Sequence, residues 1–286
     1  MDFPDYSVLM SVYHKENPSS LRQAMNSMWQ QTIPSNDFVL VCDGPLTPEL
    51  DKVIEEMLRL HTDVLNVIRL ETNHGLGHAL QIGVNACKND LIARMDSDDI
   101  SLPERCEKEL AVFVEQPDIS LVGSFITEFL DNEPENASSS KAIRVVPERN
   151  NDIIKFAKKR NPFNHPSVMF RKNDVLAAGN YSNVRYMQDY YLWAHMLIQG
   201  FKGYNIQETL VLMRTSKDFF KRRSGKQYRK IQMDLFRYMR DRKFITNSQY
   251  ISSYIIRTLS SMSPNWLRQF LFRTILRKNN ERHMTS

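Results

Sequence analysis

Apolar residues in the first half of the chain alternate between short unbroken runs and stretches at helical spacing. Residues 6–13, Tyr-Ser-Val-Leu-Met-Ser-Val-Tyr, predict a buried strand. Ser19 or Ser20 then offers a cap for a helix to about Gln31, with Leu21, Met25, Met28 and Trp29 on one face. Residues 38–42 predict a second strand, closed by Asp43-Gly44-Pro45, and Pro48 opens a helix carrying Leu50, Val53, Ile54, Met57 and Leu58. A strand over 64–70, a helix over 75–87, a strand over 91–95, a helix over 103–115 and a longer strand over 119–130 follow. This alternation predicts an α/β fold, a Rossmann-like and mostly parallel sheet with helices on both faces. A ligand site is then expected past the carboxyl ends of the strands.

Beyond residue 130 the pattern weakens. Residues 131–141 are polar and loop-like, 142–215 are mixed, and 188–199 predict a helix. Two parts are expected: an α/β body over 1–215 and a basic helical extension over 216–286.

Charge sharpens that division. The chain of 286 residues carries a net +5, split between −8 up to residue 215 and +13 from Lys217 onward. An acidic body suits cations, and a basic tail suits an anionic surface. With 42% apolar and 25% charged residues a packed core is expected, not disorder. Cys42, Cys87 and Cys106 are too few and too irregular for a disulfide framework or a thiolate metal site, which fits a reducing compartment. The first twenty residues carry no signal-peptide run, and no apolar stretch is long enough to span a bilayer.

Candidate chemistry lies at the strand ends. Asp96-Ser97-Asp98 follows an apolar strand, and residues two apart in extended chain point the same way. Paired carboxylates in that place suit Mg²⁺ or Mn²⁺ and leave coordination positions for phosphate oxygens. The plainer reading is an acidic turn in which Asp99 caps the next helix. Asp43 reads as a second strand-end acid or as a simple turn residue.

The order of motifs resembles that of the inverting family 2 glycosyltransferases of the bacterial O-antigen, capsule and exopolysaccharide type. The matches are Ser7–Tyr13 with Glu16, Val41–Gly44, Asn73-His-Gly-Leu-Gly77, Ile92–Asp99, Leu102–Arg105, Asn164–Val168 and Gln188–Trp193, and they cover about residues 5 to 215. The resemblance implies a GT-A fold and a metal-dependent hexosyltransferase using a UDP-sugar. It implies that Tyr13, Glu16, Asp43, Asn73, Gly75, Arg94 and Asp96 border the donor, that Asp96 and Asp98 hold Mn²⁺ or Mg²⁺, and that Asp189 is the catalytic base. The chain departs from the family in two places. Cys42 precedes Asp43 where a second acid is usual, and Gln188 precedes Asp189 where glutamate is usual. His165 resembles a family position near the acceptor or metal, and a buried structural histidine is an equal alternative.

The same resemblance implies β-transfer of galactose or glucose to N-acetylhexosamine on undecaprenyl diphosphate, at the cytoplasmic face of the inner membrane, with no role for nucleic acid. The tail has two readings. Ile251, Tyr254, Ile255, Leu259 and Met262, then Trp266, Phe270, Leu271 and Ile275 among Arg268, Arg273, Arg277 and Lys278, suit a helix pair lying on an anionic membrane. They suit equally an appendage packed on the body. Two rival functions remain: a nucleotidyltransferase, which would carry a glycine-rich loop where Val12–Pro18 has no glycine, and a non-catalytic scaffold, which would have lost these acids.

Overall fold

The computed structural model describes residues 2–130, 142–215 and 226–262. The expected loop at 131–141 and the part of the tail that holds Trp266, Phe270, Leu271 and Ile275 lie outside them. The chain divides into two compact units, Met1–Thr215 and Ser216–Ser286.

The first unit opens with β1 (Tyr6–Val12), α1 (Pro18–Trp29), β2 (Asp37–Cys42), α2 (Pro48–Leu60), β3 (Leu65–Arg69), α3 (Leu76–Ala86) and β4 (Leu91–Asp96). The strands pair in parallel in the order β3-β2-β1-β4. Every residue of β2 is buried, as a strand covered on both faces requires. Chain direction across the sheet reverses once, between β1 and β4. Right-handed crossovers therefore put α1 and α2 on one face and α3 on the other. Register sets Ser11 beside Asp96 and Val12 beside Cys42, so the carboxyl ends of β1, β2 and β4 form one row.

Capping differs from the expectation at α1. Pro18 occupies the first turn, so the cap falls on Asn17, whose side chain accepts from Ser19 N at 2.9 Å. Thr47 caps α2 behind Pro48 as the proline predicts.

The second half of the unit continues with β5 (Ile100–Ser101), α4 (Arg105–Glu115), β6 (Ile119–Leu130), β7 (Ile143–Arg144), α5 (Asn150–Ala157), a 3₁₀ turn (His165–Ser167), β8 (Met169–Arg171), α6 (Lys172–Ala177), α7 (Gln188–Ile198) and β9 (Lys202–Thr215). β8 inserts antiparallel between β4 and β6, and the long β9 runs parallel to β6 and also pairs with β5. β9 returns the chain to the Asp96–Asp99 turn from 115 residues away in sequence.

A buried ion pair joins the halves. Arg105 and Glu109, one turn apart on α4, are both fully buried, with Nε 3.1 Å from Oε1. Arg105 Nη2 donates to the carbonyls of Arg94 (2.8 Å) and Val168 (3.2 Å), tying α4 to β4 and to the approach of β8. The three cysteines are buried and free.

The second unit contains α8 (Lys226–Asp241) and α9 (Asn247–Met262), which pack against each other. Lys243 takes the left-handed conformation after α8, and Thr246 and Gln249 form a reciprocal capping box at the start of α9. Arg257 lies over the Phe236 ring at 4.3 Å and Arg240 over Tyr250 at 4.6 Å. Ile251, Tyr254, Ile255 and Ile256 of α9 are exposed. Among the described residues no helix is long and apolar enough to cross a membrane.

Candidate active site

The row of strand ends gathers the expected residues. Tyr13 and Glu16 follow β1, Asp43 follows β2, and Asp96 ends β4 with Asp98 just beyond. Glu16 is held at both oxygens: Oε1 accepts from Asn17 N and Oε2 from Ser97 Oγ, each at 2.8 Å. Tyr13 is exposed at the rim, edge-on to His14.

Asp43 is almost fully buried. Its carboxylate accepts from His74 N at 2.8 Å and Gly75 N at 2.9 Å, and its carbonyl accepts from Asn73 Nδ2 at 3.0 Å. It therefore shapes the Asn73–Gly75 loop that leads into α3, a helix with no side-chain cap of its own. Gly75 has φ 93°, ψ 160°, a conformation that favours glycine.

Arg94 and Asp96, two apart on β4, form a bidentate pair in which Nη1 lies 2.8 Å from Oδ2. Arg94 is buried beneath Asp96, so it meets the site through that carboxylate. Asp99 does not cap α4. Its Oδ1 accepts from Arg214 N at 2.7 Å, while Arg214 Nε donates to the carbonyl of Asp98 at 2.8 Å. Sequence reading missed Arg214, since nothing in the primary structure couples β9 to this turn.

Glu16, Asp96, Asp98 and Asp99 thus gather around two guanidinium groups, Arg94 and Arg214. Burial, reinforced by the negative charges of Asp96 and Glu16, pushes Asp98 up to about 7. Burial, with the charges of Asp96 and Asp98, pushes Asp99 well above its ordinary value, and its Oδ2 has no hydrogen-bond partner among the described residues. With all four carboxylates ionised the acids would outnumber the two guanidinium groups by two charges, which suits one hard divalent cation on oxygen donors. Among the described residues no group of three or more His, Cys, Asp or Glu is arranged to hold a metal ion by itself.

Asp189 lies in the first turn of α7, where the helix dipole favours its negative charge. Its Oδ2 accepts from Asn161 Nδ2 at 2.6 Å. Two contacts fix the start of this helix. A Cβ on Gly77 would lie 2.3 Å from Ser182 O and 3.4 Å from Gln188 Cβ, so α3 and the approach to α7 meet closely where glycine alone fits. Tyr190 Oη donates to Ala157 O at 2.5 Å, tying α7 to the end of α5. The helix that follows the Asp43-held loop, α3, and the helix carrying Asp189 are therefore directly packed.

A buried aromatic floor lies beneath. Tyr181, with the charges of Arg94, Asp189 and Asp96 all acting on it, bonds His165 Nε2 at 3.0 Å. Phe163, Phe170 and Trp193 complete the cluster. Burial, with the Arg94 charge, holds His165 far below its usual value, so it is neutral at pH 7. The His165 ring is half-buried and packs against Tyr181 and Trp193.

The description "Glycosyl transferase family 2" matches residues 7–177. The amylovoran biosynthesis glycosyltransferase AmsE of Erwinia amylovora is 37% identical across 93% of this chain and 97% of its own. The UDP-Gal:alpha-D-GlcNAc-diphosphoundecaprenol beta-1,3-galactosyltransferase of Escherichia coli is 35% identical across 97% of this chain and 98% of its own. Among solved structures, S. aureus TarS 1–349 in complex with UDP-GlcNAc superposes with a TM-score of 0.62 over 88% of this chain and 70% of that one, at 14% identity, a likeness of fold. The family match spans the whole parallel half of the sheet and the relatives run nearly end to end, so this chain, with its GT-A fold, belongs to glycosyl transferase family 2.

Proposed function

We propose that this glycosyltransferase moves a hexose, galactose or glucose, from a UDP-sugar to a hydroxyl of N-acetylhexosamine carried on undecaprenyl diphosphate, with inversion to a β linkage, in surface-polysaccharide synthesis. Support for the donor and acceptor comes from the E. coli relative, which is named for both and matches this chain nearly end to end. The chemistry is supported by the packing of α3 against the start of α7, the helix that carries Asp189 in its first turn.

The proposed reaction runs as follows. The acceptor oxygen bonds to the anomeric carbon while the bond from that carbon to the diphosphate oxygen breaks. The acceptor's proton goes to Asp189, and UDP departs. A base so placed contributes about 10²–10⁴-fold in rate. Attack on the face opposite the departing diphosphate inverts the centre. Tyr13 and the Asn73–Gly75 loop border the nucleotide, with Asp43 shaping the loop from behind. Asp96 and Asp98 would hold Mn²⁺ or Mg²⁺. Such an ion, when bound, supplies positive charge to the diphosphate as it leaves. Arg94 pairs with Asp96 and aims it.

In this reading the reaction belongs to residues 1–215, and residues 216–286 bring the enzyme to an anionic membrane. The exposed apolar residues of α9 and the net +13 of the tail support that assignment. The test is a donor screen of the purified chain with UDP-galactose, UDP-glucose, UDP-GlcNAc and GDP-mannose plus Mn²⁺. UDP release from the hexose donors is expected. Release of diphosphate instead of UDP would point to a nucleotidyltransferase.

A further inference from the structure

We infer that Asn161 is the positioning residue for Asp189, holding its carboxylate in the orientation that proton transfer needs; this rests on the reading of Asp189 as the base. The terminal torsion of an aspartate is broad and roughly two-fold, so a carboxylate at a helix start is not oriented by its backbone alone. Here Asn161 Nδ2 donates to Oδ2 at 2.6 Å, a hydrogen bond to an ionised group. That bond fixes the plane of the carboxylate and favours its charged form.

The amide itself cannot turn round without loss. Asn161 Oδ1 accepts from Phe163 N at 3.3 Å, which leaves Nδ2 as the end that faces Asp189. Phe163 is in turn immobilised. A Cβ on Gly203 would lie 2.5 Å from its ring, and one on Gly123 would lie 3.0 Å away, so β6 and β9 carry glycine where the ring presses on them. The same ring meets Trp193 of α7 edge-on, with centroids 5.9 Å apart. Between Asn161 and Phe163, Pro162 fixes its own φ, and its carbonyl accepts from buried Asn205 Nδ2 at 3.2 Å. The segment that orients Asp189 is thus seated on the sheet and keyed to the helix that carries Asp189.

The test compares Asn161→Ala, Asn161→Asp, Asp189→Asn and the double variant Asn161→Ala/Asp189→Asn in the full chain. Asn161→Asp keeps the oxygen that Phe163 N–H needs, replaces the donor with a second acid beside Asp189, and so covers the case in which the alanine variant fails to fold. Both Asn161 variants should lower kcat by roughly 10- to 100-fold, the usual cost of removing a group that orients a catalytic one, with donor KM within about twofold of the parent. In the Asp189→Asn background Asn161→Ala should cost nothing further, because the group it orients is already disabled. Near-parental kcat in Asn161→Asp, with Asp189→Asn inactive, would overturn the inference alone. So would an undiminished loss on adding Asn161→Ala to Asp189→Asn, which is the mark of a purely structural role. Near-parental turnover in Asp189→Asn would instead remove the reading of Asp189 on which the inference rests.

Discussion

Arg94 clasps Asp96 through both of its terminal nitrogens, with Nη1 2.8 Å from Oδ2, while itself buried under the strand end. The two side chains point the same way because they stand two apart on β4. Removing Arg94 leaves the half-buried Asp96 carboxylate without its partner and in part to solvent, which costs about 1–2 kcal/mol. Arg94→Ala should therefore destabilise the fold by about that amount in urea unfolding. The double variant Arg94→Ala/Asp96→Asn should be more stable than the sum of the single losses. Strict additivity would mean that the pair is not coupled.

Asp98 makes a second prediction of opposite sign. Its carboxylate is pushed up to about 7 by burial and by Asp96 and Glu16, so its charge works against the fold. Asp98→Asn should raise Tm, by about 2 °C or more, and abolish transfer. Mn²⁺ should raise the Tm of the parent and leave that of Asp98→Asn unchanged, as expected for a ligand that binds only the native parent. An Asp98→Asn protein that transfers sugar normally, or melts lower, would count against this view of the site.

Glu109 gives a pH signature. Burial pushes it up to about 7 against the pull of Arg105. Between its ordinary value near 4.5 and 7 the folded chain then binds more protons there than the unfolded chain. Its contribution to stability is full below that window and falls as pH rises through it. Glu109→Gln cannot ionise and lacks this slope. Urea unfolding of both proteins from pH 4.5 to 8 should show their stability difference moving in favour of the glutamine variant as pH rises. A constant difference would show that Glu109 titrates normally.

The parallel half of the sheet was legible because each strand there is a short apolar run and each helix has a proline or a clear apolar face. Asp43, Asp96 and Asp98 were legible as acids at strand ends. What Asp43 does was not, because its two backbone partners lie more than thirty residues on and look like any loop. β8 has three residues, too few to show a period, and β9 sets Gln207 and Glu208 in mid-strand where its register with β6 shifts. Arg214 and Asn161 were invisible for a related reason. Their roles come from contacts 115 and 28 residues away, and neither sits in a motif.

The tail carries its own prediction. Each Lys or Arg near an anionic membrane contributes about 1 kcal/mol, and salt screens that attraction. The full chain should pellet with phosphatidylglycerol-rich vesicles at low salt and much less at high salt. Replacing Ile251, Ile255 and Ile256 of α9 by serine should weaken the salt-resistant part of the binding. Indifference to the vesicles at every salt concentration would leave the membrane reading without support.

The central claim is inverting transfer from a UDP-sugar, and product stereochemistry tests it most directly. The purified chain would be incubated with UDP-galactose or UDP-glucose, Mn²⁺ and a short-chain GlcNAc-diphospholipid. The new linkage would be read from its anomeric proton coupling in NMR. The account predicts a β linkage, UDP as the leaving product, and loss of about 10²-fold or more in rate with Asp189→Asn. An α linkage, or an unimpaired Asp189→Asn enzyme, would contradict it.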